Sequence, residues 1–405
     1  MSHHGVLHWI GDFLTFLDLL HLRLVSKLTK VDIAQVEMLH VSTNITPNGV
    51  LFALSFFNRI RRVMLQNGSN LDIHSLSAIA QRGVEIIEVH SFGKSSLDRM
   101  DMSSYPNGGN LHPCPLRQLR IKRAVCTGPF LLNALAPLRG LKSLSLEYVH
   151  QLHDSDLCMI FEYFTLLEDL SVKKCMLLQQ AVFPANTGLQ LQSLAITECP
   201  SLTCVIFNPS CSRLRYLSLN NTSITQDTIE HAILGLTLST LDLSHCSHIT
   251  SLRIDCSTMK AIYLRGCTHL NRIELSCSSL TDLDILLCQQ LTTLLLNASM
   301  IHHINLTMLT NLRLVSLNCS KLQTLNLSGC IQLNSVKVIG SSITFRLHSL
   351  VDDREKQIGA HLAMLTSLHK ILPSIYCGSS SVTHFLPMLS TQDAVAIPHP
   401  RSASL

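Results

Sequence analysis

The sequence predicts an α/β solenoid, a stack of similar coils that each give one strand to a parallel sheet. Three observations predict it. First, the unit L-x-x-L-x-L restarts at Leu238, Ile249, Met259, Leu270, Leu280, Leu291, Ile301, Leu312, Leu322 and Leu333. The steps alternate between 11 and 10, so the true period is 21 residues. A fixed period of about 20 residues is the signature of stacked repeats. Second, small residues share that period. Cys246, Cys267, Cys288 and Cys330 form one ladder, with Leu309 on its missing rung. Cys256, Cys277 and Cys319 form another, with Ala298 and Gly340 on its other rungs, and Ser257, Ser278, Ser299, Ser320 and Ser341 follow it throughout. Cysteine at such rungs acts as a small hydrophobe, and serine suits a turn. Third, 46% of the 405 residues are hydrophobic and only 14% charged. That balance suits many inward leucines under a polar, uncharged surface.

The elements follow in chain order. Leu7, Ile10, Phe13, Leu14 and Leu17 lie at helical steps. DLLHLRLVSK over Asp18–Lys27 reads as a second helix with Asp18 as its cap. Two short leucine-rich helices over residues 1–33 need a partner surface. Repeats begin with the strand VEMLHV, Val36–Val41, and restart at Ile60, Val84, Leu116, Leu141, Leu167, Leu191 and Leu214. The longer spacing of this part, residues 36–237, leaves room for helices. Two are predicted, over Asp154–Phe164 and Gln226–Leu234. One interval is oversized. It holds Asn107-Gly108-Gly109 and reads as a loop inserted over residues 94–115. Residues 238–342 carry the 21-residue period, and their half-units replace the helix with a second strand. An amphipathic helix with Ile358, Leu362, Leu365, Leu368 and Leu372 is expected over residues 350–373 as a cap, stopped by Pro373. Residues 374–405, rich in Ser and Pro, are expected to be a disordered tail.

Two resemblances follow from these residues. LSVKKC, LAITEC and LDLSHC place Cys175, Cys199 and Cys246 at one offset from their repeat starts. The pattern L-x-x-L-x-L-x-x-C resembles the cysteine-containing leucine-rich repeats, which implies a horseshoe with a parallel concave β-sheet. The 21-residue cysteine ladders of the second half resemble internalin-like repeats. At the N-terminus, Leu7, Ile10, Phe13, Leu14, Asp18, Leu19, Leu22, Arg23, Val25, Ser26 and Lys27 resemble the F-box motif in order and spacing. Ser2 and His3 replace that motif's Leu-Pro opening, and Thr29 replaces its following aromatic. The F-box resemblance implies a substrate-recognition subunit of a Skp–cullin–F-box ubiquitin ligase. Leu7, Ile10, Phe13, Leu14, Leu19, Leu22 and Val25 would dock a Skp-type adaptor within the cullin complex. The solenoid would hold a protein substrate, the chain acting as a monomer within the hetero-complex. A helical pair that merely caps a leucine-rich-repeat scaffold or inhibitor is the alternative.

No catalytic constellation, phosphate loop or cofactor motif is present, and the 21 histidines are scattered. A non-catalytic binding protein without metal or cofactor is expected. The net charge of +4 is too small to argue for nucleic acid. No run approaches the ~18 apolar residues of a membrane span. The 15 cysteines form no C-x-x-C pair; read as buried thiols, they point to the cytoplasm or nucleus. The binding residues expected on the concave face are Lys122, Arg123, Tyr148, Lys173, Lys174, Asn220, Tyr263 and Arg265. Lys122, Arg123, Lys173 and Lys174 are expected to form one basic patch, with Glu147 and Tyr148 between them.

Overall fold

The computed structural model describes residues 38–41, 47–56, 59–66, 73–92, 115–124, 131, 135, 138–183, 190–208, 211–233, 235–339 and 344–346. The helical pair of residues 1–33, nearly all of the insertion at 94–115, the helix expected over 350–373 and the tail lie outside them. The fold is a leucine-rich-repeat solenoid of the α/β kind, in two units that meet in sequence between Ile249 and Thr250.

In the first unit, inward leucines alternate with outward polar residues, the period of two that a strand imposes. The strands are β1 (Met38–Val41), β2 (Arg62–Leu65), β3 (Ile86–His90), β4 (Gln118–Lys122), β5 (Ser143–Glu147), β6 (Asp169–Lys173), β7 (Gln180–Val182), β8 (Ser193–Thr197), β9 (Cys204–Ile206), β10 (Tyr216–Ser218) and β11 (Thr240–Asp242). All but β7 and β9 lie side by side, in the order β1-β2-β3-β4-β5-β6-β8-β10-β11. The pairing is parallel and in register, so Leu119, Leu144, Leu170 and Leu194 form one apolar column. Each is at most 1% exposed. Burying such a side chain contributes about 1.5–3 kcal/mol, most of it offset by ordering the chain. Coils of this kind are therefore stable only when stacked.

Helices α1 (Pro47–Phe56), α2 (Ile73–Gln81), α3 (Asp154–Tyr163) and α4 (Gln226–Ile233) fill the longer repeats. The two predicted from sequence are α3 and α4. Asp156 opens α3 by accepting from the His153 N–H at 2.8 Å, and Leu157, Ile160 and Phe161 are its buried face. The repeats starting at Leu167 and Leu191 use the short strands β7 and β9 instead, paired parallel. Two interactions favour that choice. Asp154 Oδ1 accepts from the N–H groups of Gln179 and Gln180, at 2.8 and 3.0 Å. The rings of Phe161, Phe183 and Phe207 stack in sequence, with centroids 4.0 and 4.8 Å apart.

The second unit has strands on both sides of each coil. β12 (Ser251–Asp255), β14 (Arg272–Ser276), β16 (Thr293–Asn297), β18 (Leu314–Asn318) and β20 (Ser335–Ile339) make one parallel sheet. The other half-units give β13 (Ala261–Tyr263), β15 (Asp282–Asp284), β17 (His303–Asn305), β19 (Thr324–Asn326) and β21 (Thr344–Arg346), paired β13–β15 and β17–β19–β21.

These last strands have three residues, where those of β3 to β6 have five. A side-chain acceptor explains three of them. Asp284, Asn305 and Asn326 end their strands, and each Oδ1 accepts the N–H two residues on, at 3.0, 3.1 and 3.1 Å. Such turns of Asp and Asn compete with the strand ladder. Asp242 does the same at the end of β11, with the N–H of Ser244 at 2.9 Å. The equivalent places on β4, β5, β6 and β8 hold Arg120, Ser145, Ser171 and Ala195, and those strands run on.

The thiols of the first ladder point inward and are hydrogen-bonded. Cys246, Cys288 and Cys330 donate to the carbonyls of Leu219, Leu264 and Leu306, at 3.1, 3.1 and 3.0 Å. Thr222 fills one rung of that ladder, and its hydroxyl donates to the same Leu219 carbonyl at 2.7 Å. On the second ladder, Cys277, Ala298 and Cys319 are fully buried.

Candidate functional site

One position per repeat decides what the first sheet presents beyond its strand ends. The residue just before each cysteine rung adopts a left-handed backbone. In the first unit these residues are Ser91, Arg123, Tyr148, Lys174, Glu198, Asn221 and His245, with φ between 53° and 60°. The conformation is unfavourable for residues other than glycine. It is held by hydrogen bonds that continue the ladder past the strands. The N–H groups of Arg123, Tyr148, Lys174 and Glu198 donate to the carbonyls of Glu147, Lys173, Thr197 and Asn220, at 2.7, 2.9, 3.0 and 2.8 Å. The turn swings the next residue inward, which is why a buried residue follows, from Phe92 and Ala124 to Cys199 and Cys246. It also stacks the left-handed side chains in a column at the strand spacing of about 4.8 Å.

The column gathers a polar cluster. Lys174 Nζ donates to the Tyr148 hydroxyl at 2.7 Å and lies 4.6 Å from the ring centroid. The Arg123 guanidinium lies 6.0 Å from the same centroid. One aromatic ring thus lies close to two cations, on the rungs either side of it. Glu198 Oε2 meets Lys174 at 3.3 Å, and its Oε1 meets Lys173 at 3.0 Å. The hydrogen bond from Lys173, followed by that from Lys174, holds the Glu198 carboxyl below its ordinary pKa despite some desolvation. The hydrogen bond to Tyr148 is the main cause of a raised Lys174 pKa.

Lys122 is drawn the other way, to Glu88 Oε1 at 2.8 Å, where His90 also bonds at 3.1 Å. Burial pushes the Glu88 pKa up, but the hydrogen bonds and charges of Lys122 and His90 outweigh it and leave it lowered.

The expected basic patch is therefore divided. Arg123, Tyr148, Lys173 and Lys174 come together, and Lys122 is neutralised by Glu88. Glu147 forms no ion pair among the described residues; Glu198 and Glu88 supply the neutralising charge. Asn220 lies at the end of β10, half-buried, and its carbonyl closes the Glu198 turn. Tyr263 and Arg265 belong to the second unit. Tyr263 is 37% exposed, and Arg265 approaches Asp284 at 3.8 Å. The F-box-like residues Leu7, Ile10, Phe13, Leu14, Leu19, Leu22 and Val25 lie outside the described residues. Sequence reasoning missed Glu88 and Glu198. Glu198 carried a signal, since it precedes Cys199 as Lys174 precedes Cys175.

The second unit offers a shallow groove of about 430 Å³ over β12 to β18, walled by Arg253, Asp255, Glu274, Asn297 and Asn318. Its strongest charges pair off: Arg272 Nε donates to Glu274 at 2.6 Å, and Arg253 lies 4.0 Å from Glu274. Among the described residues no cluster of three metal-ligating side chains occurs, and no helix is long and apolar enough to cross a membrane.

No protein-family model matches the sequence, and no curated protein does. Solved structures do resemble it. An internalin, InlF of Listeria monocytogenes, is 16% identical over 87% of this chain and 89% of its own, with a TM-score of 0.35. A leucine-rich-repeat protein of Leptospira interrogans is 18% identical over 76% and 83%, with a TM-score of 0.36. Rad7, solved as a complex with Elc1 in yeast, is 15% identical over 83% and 88%, with a TM-score of 0.34.

Proposed function

We propose that this chain is a non-catalytic protein-binding adaptor, the substrate-recognition subunit of a Skp–cullin–F-box ubiquitin ligase. The observation that carries the reading is the F-box-like order Leu7, Ile10, Phe13, Leu14, Leu19, Leu22, Val25 immediately ahead of the first repeat. In this role the leucine-rich helices dock a Skp-type adaptor. The outward face of the first sheet holds the target and raises its effective concentration near the conjugating machinery. The half-buried side chains of Lys173, Tyr148 and Lys174 support a binding role for that face, since polar groups on a rigid sheet are pre-ordered for a partner. The thiol hydrogen bonds fit a cytoplasmic or nuclear setting, because a disulfide would remove those donors.

The test is a pull-down of the purified full chain with a Skp-type adaptor, beside the Leu22→Asp/Val25→Asp variant. The native chain is expected to bind and the variant to fail. No binding by the native chain overturns the ligase reading. It leaves the second reading, a leucine-rich-repeat scaffold or inhibitor, which the repeat architecture alone would support.

A further inference from the structure

We infer that Arg123, Tyr148 and Lys174 form a cradle for one oxyanion, a phosphate or carboxylate carried on an acidic segment of the protein partner. The inference rests on the protein-binding reading of the first sheet and names the chemistry that this face recognises.

The argument is a count of donors. A lysine ammonium has three N–H groups. Lys174 gives one to the Tyr148 oxygen and one to Glu198, which leaves the third. The Tyr148 oxygen accepts from Lys174, so its own O–H is left to donate outward. Arg123 is exposed and makes no ion pair among the described residues, and the Tyr148 ring lies beneath its guanidinium. Three unspent donor groups therefore come from three successive rungs, whose backbones span roughly 10 Å at the strand spacing, while the Tyr148 hydroxyl and Lys174 Nζ lie only 2.7 Å apart.

Charge agrees with geometry. Arg123, Lys173 and Lys174 face Glu147 and Glu198, which leaves a positive excess beside an aromatic ring. Tyr148 is half-buried and bonded to Lys174, so the cradle is fixed before a ligand arrives. A phosphate offers three oxygens to three donor groups and a carboxylate only two, so phosphate is the better guest. The second unit has no counterpart. Its left-handed residues are Gly266, Leu287, Met308 and Gly329, without a charge among them.

Fluorescence anisotropy of the full chain tests the assignment. The probes are three labelled pools of degenerate heptapeptides with a fixed central phosphoserine, glutamate or serine. Phosphoserine is expected to bind tightest, glutamate more weakly and serine not measurably. Arg123→Gln should weaken phosphoserine binding about tenfold, the scale of a lost charge-assisted hydrogen bond. Tyr148→Phe, which keeps the ring and loses the donor, should weaken it about threefold. Arg253→Gln, in the second unit, should leave it unchanged. Equal binding of the three pools, no binding of any, or indifference to Arg123→Gln and Tyr148→Phe overturns the cradle. So does preferential binding to phosphatidylserine vesicles, which would make the cluster a membrane contact. Thermal melting of Arg123→Gln checks folding, and melting like the native chain is expected for so exposed a residue. The same variant should still capture the Skp-type adaptor. Loss of peptide binding with adaptor capture intact confines the effect to the cradle, whereas failure of the native chain to capture the adaptor bears on the ligase reading alone.

Discussion

Each unit has a left-handed position ahead of its inward rungs, with the same backbone and opposite chemistry. In the first unit it carries only polar side chains, from Ser91 through Arg123, Tyr148, Lys174, Glu198 and Asn221 to His245. In the second it carries Gly266, Leu287, Met308 and Gly329. Bonds such as Tyr148 N–H to the Lys173 carbonyl and Met308 N–H to the Ser328 carbonyl do the same structural work in each, at 2.9 and 2.8 Å. The turn is thus a demand of the repeat, and the side chains on it are free to serve another purpose. Only the first unit uses that freedom to gather donors around a ring. In the second, the flanking glycines answer the conformational demand directly, and the Met308 side chain lies over Gly329.

The comparison is broken most severely by alkali. Burial raises the thiols of Cys277, Cys288 and Cys319 to about 11 and that of Cys330 to about 12. A folded-state pKa above the unfolded value means stability that is present at neutral pH and lost as pH rises through the folded pKa. Each thiol costs up to about 1.4 kcal/mol per pH unit over that window. Hydrogen exchange followed from pH 8 upward should show the strands β12 to β20 opening as pH climbs from about 9 to 11.

Gly329→Val comes next. The glycine has φ +78°, and an added Cβ would lie 2.7 Å from the Met308 sulfur and 3.3 Å from its Cα. Thermal or urea unfolding should show a loss of about 2–4 kcal/mol. Asn221→Gly, at the matching position of the first unit, should change stability by under ~0.5 kcal/mol, because asparagine already tolerates the left-handed region.

Cys288→Ala should cost about 0.5–1.5 kcal/mol, since it removes the thiol hydrogen bond to the Leu264 carbonyl, which keeps the Cys267 N–H at 3.2 Å. Cys288→Ser should cost less, as Thr222 shows that a hydroxyl can fill this place. Glu198→Gln should also have a small effect on stability, below ~1 kcal/mol for an ion pair that is half-exposed. It should nevertheless tighten phosphoserine-peptide binding about twofold to threefold by removing the charge opposite Lys174.

The repeats were legible because their causes are local and periodic. Leucine columns, cysteine rungs and the bounds of α3 and α4 all follow from side chains that recur at fixed offsets. The Asp284, Asn305 and Asn326 turns were legible in principle, since the three sit on the 21-residue period. The left-handed column was not. Its occupants share a backbone bond and no side-chain property; a following cysteine links Lys174, Glu198 and His245, but Arg123 and Tyr148, which precede Ala124 and Val149, lack even that. Nor was the sharing of charge. Glu88 reaches Lys122, and Glu198 reaches Lys173 and Lys174, only because parallel pairing sets residues from successive repeats side by side. A basic patch read along the chain therefore became one lysine paired with Glu88 and a separate cluster in which Glu198 meets Lys173 and Lys174 beside Tyr148.

The most direct test of the claim that recognition lies on the first unit is a photo-crosslinking comparison. A benzophenone amino acid is placed at Ser145, on the outward face of β5, or at Asn305, at the end of β17, and the full chain is irradiated with the phosphoserine peptide pool. The account predicts crosslinking from Ser145 that Arg123→Gln suppresses, and none above background from Asn305. Crosslinking from Asn305 alone, or equally from both, would contradict it.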